Sequence, residues 1–288
     1  MKPAPALLAD HSLSCRLERA EADANRRFIE ARAHVQPAVA AAWIAVDGTY
    51  AMFDGVDSPL TQSFGLGLFT TTKSTQLDRI ESFFFERRAT VHHEVSPLAD
   101  GALPLLHARG YEPFEFTSVM YQPLDAGVVR ALAATTAERQ GAGGDLRVRR
   151  VRTDELPLFA RTAADGWGES PELRAFMLNF GSVTASAEGM WSFLAEIDGR
   201  PAATGSLIMH EGVALLAGAS TVPAERRHGA QAALLAARLQ AALEEGCDVA
   251  MMGAQPGSGS QRNAERSGFR IAYTRLKWRL PLPAASPR

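Results

Sequence analysis

The chain carries the sequence Val222-Pro223-Ala224-Glu225-Arg226-Arg227-His228-Gly229-Ala230-Gln231 between two runs of different character. The preceding run, residues 213–222, is apolar and typical of a strand, while residues 231–245 are dominated by Ala and Leu and predict a helix. The first backbone N–H groups of a helix have no partner inside it, so a loop here can turn them toward an anion. The sequence therefore indicates a phosphate-binding loop between a strand and a helix.

Individual residues of this loop suit a pyrophosphate group. Gly229 lets the backbone approach an anion closely, and Arg226 or Arg227 can add charge-assisted hydrogen bonds. The dipole of the following helix favours the same negative charge. An ordinary basic helix entry has a similar sequence, because helix starts that contain Arg and Gly are common. The loop by itself leaves both interpretations open.

The segments around the loop predict an antiparallel meander followed by helix, strand, short helix and strand. Turns at Asp198-Gly199 and Glu211-Gly212 separate the strands of the meander, and helix starts are indicated at Thr153 and Ser170. The predicted strands are residues 146–151, 191–197, 202–210, 213–222 and 249–252, with a small helix and a last hairpin-like pair after them.

The first half of the chain repeats this order in outline. A long amphipathic helix that ends before Pro37 precedes a hairpin around Asp47-Gly48, and Gly110-Tyr111 precedes a strand as Gly268-Phe269 does later. The other predicted elements are strands at 63–69, 91–95 and 114–121, and helices around 77–84 and 103–109. The repeat predicts a duplicated fold.

A second motif follows the predicted helix and the short strand after the loop: Ser260-Gln261-Arg262-Asn263-Ala264-Glu265-Arg266-Ser267-Gly268-Phe269. Together the two motifs resemble the GNAT superfamily of N-acetyltransferases, over about residues 146–282. In that family the loop reads Gln or Arg, two residues, Gly, one residue, then Gly or Ala, and its amides hold the pyrophosphate of acetyl-CoA. Arg226 and Gly229 match this pattern, whereas Gln231 replaces the small residue.

The resemblance implies which residues contact acetyl-CoA as acyl donor. The strand end should pair through its backbone with the pantetheine arm, the loop should hold the pyrophosphate, and Asn263 should lie beside the cofactor. Asn263 has the alternative of capping a helix or lying on the surface. The implied cofactor-binding residues are Ser220, Thr221, Val222, Arg226, Arg227, His228, Gly229, Ala230, Gln231 and Asn263.

The implied chemistry is direct attack of a neutral amine on the thioester, which needs a base and benefits from an acid. The family often places an acidic Tyr four positions before the Gly-Phe pair, where this chain has Ala264. Water, Ser260 or Tyr273 would have to substitute for it. Asp165 and Glu169 are the candidate bases, in a loop that shapes the acceptor pocket in the family; as alternatives, they are solvated loop carboxylates or a helix cap.

The first half lacks an Arg-x-x-Gly loop, since Thr70-Thr71-Thr72-Lys73 follows Gly67. It resembles a degenerate GNAT copy that completes the acceptor cleft and stabilises its partner domain. His92-His93-Glu94 suggests a metal site, but adjacent strand residues point to opposite faces, so no metal is expected.

These patterns define the predicted architecture. We expect an α/β (α+β) protein of two GNAT-like domains, each with a mixed, mostly antiparallel sheet flanked by helices. Residues 1–125 form the degenerate copy, and residues 146–288 form the acetyltransferase domain. Residues 126–145, rich in Ala, Thr and Gly, are the predicted linker.

Composition restricts the partners and the compartment. A net charge of -2 and a pI near 6.4 argue against nucleic acid or an anionic membrane as partner. The longest apolar stretch, residues 213–222, is shorter than the roughly 20 residues that span a bilayer. Only two cysteines occur, far apart, which favours a reducing, cytoplasmic setting. A monomer or a homodimer is expected.

Two functional hypotheses follow. The first is an N-acyltransferase that moves an acetyl group from acetyl-CoA to a small amine or a peptide. The second is a sensor or interaction protein that binds acyl-CoA without turnover, because Gln231 and Ala264 depart from the family pattern.

Overall fold

The computed structural model describes residues 8–140, 145–168 and 170–283 of the chain. The helices are α1 His11–Val35, α2 Ser74–Phe85, α3 Ala102–Ala108, α4 Ala126–Gln140, α5 Leu156–Asp165, α6 Pro171–Ser186, α7 Ala230–Glu244 and α8 Gly259–Arg266. The strands are β1 Ala42–Val46, β2 Thr49–Phe53, β3 Gln62–Phe64, β4 Val91–Val95, β5 Glu112–Pro123, β6 Leu146–Arg150, β7 Trp191–Ile197, β8 Arg200–His210, β9 Val213–Thr221, β10 Val249–Ala254 and β11 Arg270–Leu280.

The chain divides into two compact units that do not follow its order. Of the described residues, those up to Tyr121 and those from Gly253 onward form the first unit, and those from Gln122 to Met252 form the second. The sheet of each unit is mixed and mostly antiparallel, with helices packed on it, so the predicted α+β class is confirmed. The domains predicted from the sequence, 1–125 and 146–288, are each one continuous segment, whereas the first unit combines two separate segments of the chain.

In the first unit the strand order is β1-β2-β3-β4-β11-β5. The predicted β1–β2 hairpin is present, and β3 runs parallel to β4. β11 lies between β4 and β5 and is antiparallel to both. The hairpin-like pair expected at the C-terminus is therefore wrong. Residues 270–280 form one long strand, because they find pairing partners on both sides in the N-terminal part of the chain.

The strand predicted at residues 63–69 is also shorter than expected. β3 ends at Phe64, because Gly65 and Gly67 adopt φ of +83° and +74° and turn the backbone away from the extended conformation. The ring of Phe69 then packs against Gly48 and Gly65, where an added Cβ would come within 2.5 Å and 2.8 Å of its atoms. Glycine at both positions makes room for this ring.

A buried ion cluster holds β11 in the first unit. Arg275 is 1% exposed and contacts Glu94 of β4 through Nε at 2.9 Å. Its Nη1 lies 2.9 Å from Glu21 and 3.4 Å from Glu18, both on α1. Lys277 adds a second cation, 3.3 Å from Glu94. Glu115 lies 3.4 Å from the same Lys277 nitrogen. Four carboxylates thus face two cations, so the cluster has surplus negative charge, and the side chains of Glu18, Glu94 and Arg275 are almost fully buried.

Burial raises the pKa of Glu18 to about 7, and the neighbouring Glu21 and Glu94 add to this effect, although Arg275 opposes it. The Tyr273 hydroxyl donates a hydrogen bond of 2.8 Å to Oε1 of Glu18. Burial and the Glu18 charge raise the pKa of Tyr273 well above its ordinary value.

In the second unit the strand order is β10-β9-β8-β7-β6. The strands β6 to β9 form the predicted antiparallel meander, and β10 runs parallel to β9. α7 packs on β7, β8 and β9, as does α5. Phe159 of α5 forms a small core with Val151 and Leu194.

Residues 126–140 of the predicted linker form α4, which packs against α7. Their Ala-rich sequence has high helix propensity, which explains the helix. The glycine cluster at 141–144, which motivated the linker, lies outside the described residues. Across the described ranges, no helix combines the length and the apolar character needed to cross a membrane.

The raised pKa of Glu18 predicts a pH-dependent stability. The folded state holds the Glu18 proton up to about pH 7, whereas an unfolded carboxyl releases it near 4.5, so this contribution is lost as the pH rises through about 7. Glu18→Gln imitates the protonated form and keeps an acceptor for Tyr273. We expect the free energy of unfolding of the variant, relative to that of the wild type, to rise by about 3 kcal/mol between about pH 5 and about pH 8, as measured by urea unfolding. If the stabilities of the wild type and of Glu18→Gln change with pH in parallel, the surplus negative charge around Glu18 is contradicted.

Candidate functional site

The parallel pairing of β9 with β10 ends before β9 does. β9 and β10 pair only at Val213 with Val249, Ala214 with Ala250 and Leu215 with Met251. Within the part of the chain that the structure describes, residues 216–221 of β9 have no β10 partner. Apart from the Ser220 and Ala217 carbonyls, which accept hydrogen bonds from side chains of α7, the backbone groups of this stretch that do not face β8 are available to another extended chain, as at the edge of a sheet.

A β-bulge shapes the same stretch of β9. Thr204 of β8 faces Ser220, but Ser206 faces Ala217, so two steps on β8 oppose three on β9. Gly218 lies in the bulge with φ of +60°, and residues 217–219 are exposed. The bulge breaks the regular β8–β9 ladder within the stretch of β9 that β10 does not pair.

The predicted phosphate-binding loop follows directly. A single 3-10 turn, Pro223–Glu225, leads to Arg227 at φ +68° and Gly229 at φ +83°, and α7 begins at Ala230. Among the described residues, no side chain caps the first N–H groups of α7. A Cβ at Gly229 would meet only Leu146, at 3.9 Å, so space is open on that side of the backbone. The loop thus presents uncapped helix amides beside a free strand edge.

Gln231, which departs from the small residue of the GNAT pattern, has a defined role in the fold. Its Nε2 donates to the Ser220 carbonyl at 2.9 Å and to Oγ1 of Thr221 at 2.7 Å. The amide therefore ties the first turn of α7 to the end of β9. These bonds hold the side chain on the strand.

The loop is also fastened to the end of α5. Arg226 donates from Nη2 to the Gly166 carbonyl at 3.1 Å, and Ser220 Oγ donates to the Ala163 carbonyl at 2.8 Å. A Cβ at Gly166 would lie 1.8 Å from Ser220 Oγ and 3.0 Å from the Thr221 nitrogen. Glycine at 166 thus permits the close approach of α5 to β9. Arg227 and His228 are exposed at the tip of the loop.

The structure distributes the predicted catalytic residues between the two units. Asp165 ends α5 in the second unit, where Arg174 donates two hydrogen bonds to its Oδ1, at 2.9 Å and 2.6 Å. Glu169 lies outside the described residues. Ser260 and Asn263 are exposed on α8 of the first unit, and the cap of that helix is Ser258. Tyr273, also in the first unit, is buried against Glu18.

The two histidines that suggested a metal site serve other contacts. His93 is fully buried, with Nδ1 hydrogen-bonded to Ser63 Oγ and Nε2 lying 3.2 Å from the Tyr111 hydroxyl. Burial lowers its pKa to about 3. The ring of His92 lies 5.4 Å from that of Phe114. In the described ranges, no group of three or more potential ligands could hold a metal ion.

Sequence reasoning missed three features of this region: the bulge at Gly218, the close contact at Gly166, and the buried Arg238 of α7 beneath the bulge. Glycines at 166 and 218 were the available signal, because glycine inside or beside regular structure often marks a close approach or a bulge. No local pattern distinguishes Arg238 from a surface arginine of a helix.

Comparisons with solved structures identify the fold. The chain is similar to a GCN5-related N-acetyltransferase from Kribbella flavida, at 18% identity and a TM-score of 0.58, over 88% of this chain and 94% of that one. A tandem GNAT protein from the clavulanic acid biosynthesis pathway matches at 11% identity and a TM-score of 0.58, over 97% and 98% of the two chains. No protein-family model and no curated protein matches the sequence.

A functionally unknown conserved protein from Staphylococcus epidermidis ATCC 12228 is similar at 7% identity and a TM-score of 0.57, over 84% of this chain and 95% of that one. At such identities the likeness establishes the fold. The chain thus has a GNAT-like fold, and its likeness to a tandem GNAT protein extends over nearly its whole length.

The close contact at Gly166 predicts that adding one methyl group at this position destabilises the folded state. Gly166→Ala should lower the free energy of unfolding by about 2 kcal/mol, because Ser220 must rotate and give up its bond to Ala163. Urea unfolding measures this, and adding Ser220→Ala should recover part of the loss. Gly259→Ala, where no atom lies within 4 Å, is the matched control and should change stability by less than about 0.5 kcal/mol. Strictly additive losses in the double variant would contradict the proposed collision.

Proposed function

We propose that the chain is an acyl-CoA-dependent N-acyltransferase, with acetyl-CoA as donor and a small amine or a peptide as acceptor. One observation carries the proposal: the free edge of β9 leads directly into uncapped amides at the start of α7. An extended arm that ends in a pyrophosphate needs a strand edge followed by an anion site, in that order. The second unit supports the proposal, because a stretch of β9 that β10 does not pair is followed by uncapped helix amides.

Each part of the donor has a corresponding part of the site in this proposal. Residues 216–221 of β9 offer backbone groups to the amides of the pantetheine arm. The first N–H groups of α7 and the arginines at 226 and 227 face the pyrophosphate, which the helix dipole also favours. Gln231 supports the arrangement from outside the loop, since its amide is bound to Ser220 and Thr221.

In this proposal the amine attacks the thioester directly, and no side chain forms a covalent bond to the acyl group. The amine nitrogen bonds to the thioester carbon, the carbon–sulfur bond breaks, and the ammonium proton leaves to a base. The thiolate then takes a proton. Ala264 supplies no acid, and Tyr273 is buried with a strongly raised pKa, so we propose that water protonates the sulfur. Asp165, beside the β9 end, and Glu169 are the proposed bases.

The first unit is proposed as a copy that does not bind acyl-CoA. The loop after β3 lacks the Arg-x-x-Gly pattern, and the ring of Phe69 packs against Gly48 and Gly65. Arg19 lies over this ring at 4.0 Å and donates to the Gly48 carbonyl at 3.0 Å. The loop of this unit is thus filled by the chain's own side chains.

The alternative function is an acyl-CoA sensor without turnover, which the absence of a Tyr at position 264 favours. The two functions differ in one measurable product. An enzyme releases CoA thiol from acetyl-CoA in the presence of an amine, detected with a thiol reagent. A sensor binds acetyl-CoA but releases no thiol above the background rate.

Calorimetry of acetyl-CoA binding to three proteins tests the site: wild type, Gly229→Asp and Gly229→Asn. Both side chains have the same shape and tolerate the left-handed backbone at φ +83°, so they differ in charge. If the pyrophosphate lies at this loop, Asp should bind at least about tenfold more weakly than Asn, roughly 1.4 kcal/mol. Equal affinities of the two variants for acetyl-CoA would show that the pyrophosphate does not lie at this loop. If the wild type does not bind acetyl-CoA, the proposal is wrong.

A further inference from the structure

Arg238 is a buried cation without an anion. It lies in the middle of α7 at 3% exposure, and in the described chain its guanidinium meets no carboxylate. It donates instead to three carbonyls: from Nε to Leu234 at 3.1 Å, and from Nη1 to Ser206 at 3.1 Å and Ala217 at 3.4 Å. A charge buried in this manner is costly, and an apolar side chain would normally pack there better.

The neighbours of Arg238 show where this charge is held. Ser206 and Ala217 are the β8–β9 pair at which the register shifts, so one nitrogen bridges the two strands at the edge of the bulge. A Cβ at Gly205 would lie 2.8 Å from the Arg238 Cζ, so glycine at 205 leaves room for the guanidinium. Burial lowers the pKa of Arg238 to about 10, which still leaves it charged at neutral pH.

Two physical effects reach the exposed bulge residues 217–219 from below. The hydrogen bonds to Ser206 and Ala217 fix the backbone at the start of the bulge. A cation bonded to the Ala217 carbonyl also polarises the peptide unit between Ala217 and Gly218, which makes its N–H a stronger donor. In a site of low dielectric, a fixed positive charge stabilises negative charge that develops nearby.

We propose that Arg238 is a positioning residue for acyl transfer, which holds and polarises the β9 bulge at residues 217–219 against the thioester carbonyl. This inference rests on the proposed function, because it needs the thioester to lie along β9. The carbonyl oxygen gains negative charge as the amine adds. Arg238 acts through the backbone and does not contact the acyl group.

Isotope-edited infrared spectroscopy tests this without a known acceptor. The carbonyl stretch of acetyl-CoA labelled with ¹³C at the carbonyl reports its polarisation when bound. The wild type should shift this band to lower frequency than in water. Arg238→Met should return the band most of the way to the solution value, with acetyl-CoA affinity changed by less than about threefold, while Arg238→Lys should retain part of the shift.

The controls separate polarisation from packing. Leu239→Ala removes a fully buried side chain of the same helix but leaves the bonds of Arg238 in place, so it should keep the wild-type band. Gly205→Ala crowds the guanidinium and should move the band as Arg238→Met does. If Arg238→Met does not fold, the band of Gly205→Ala tests the inference in its place. A wild-type band in both Gly205→Ala and Arg238→Lys, or in Arg238→Met, overturns the inference. A wild type that does not bind acetyl-CoA overturns the proposed function instead.

Discussion

The first unit depends on Arg275, because this residue joins the last strand of the chain to elements from its beginning. Its guanidinium meets Glu18 and Glu21 of α1 and Glu94 of β4, of which Glu18 and Glu94 are almost fully buried. Removing Arg275 from this cluster would leave buried carboxylates without their cation, which costs more than most single contacts contribute. The unit is thus completed only after the second unit, which precedes β11 in sequence, has been synthesised.

The second unit places its candidate site on backbone rather than on side chains. The edge of β9, the bulge at Gly218 and the first amides of α7 are all main-chain features. Side chains hold these features in place: Gln231 binds the β9 end, Ser220 binds α5, and Arg238 binds the bulge. Because main-chain groups form this candidate site, few of its own features depend on the identity of a side chain.

Much of this arrangement could be predicted, because local patterns specify it. The spacing of Leu17, Ala24 and Phe28 predicts α1, the Asp47-Gly48 turn predicts the first hairpin, and the run from Gln231 predicts α7. The strand after Gly268-Phe269 is present as predicted, but the hairpin-like pair expected there is wrong, since strand pairing depends on distant partners. The length of β3 was overestimated because the alternation of apolar residues continues past Gly65 although the backbone turns there.

The sequence by itself determined most of the helices and strands in their order, the α+β class and the position of the loop before α7, because these follow from periodicity, turn residues and composition within short segments. Only the tertiary structure decided that β11 completes the first unit, that β9 separates from β10 after Leu215, and that Arg238 lies buried under the bulge. Each of these depends on residues far apart in the chain, and no local pattern encodes which distant backbone or carbonyl group a residue will meet.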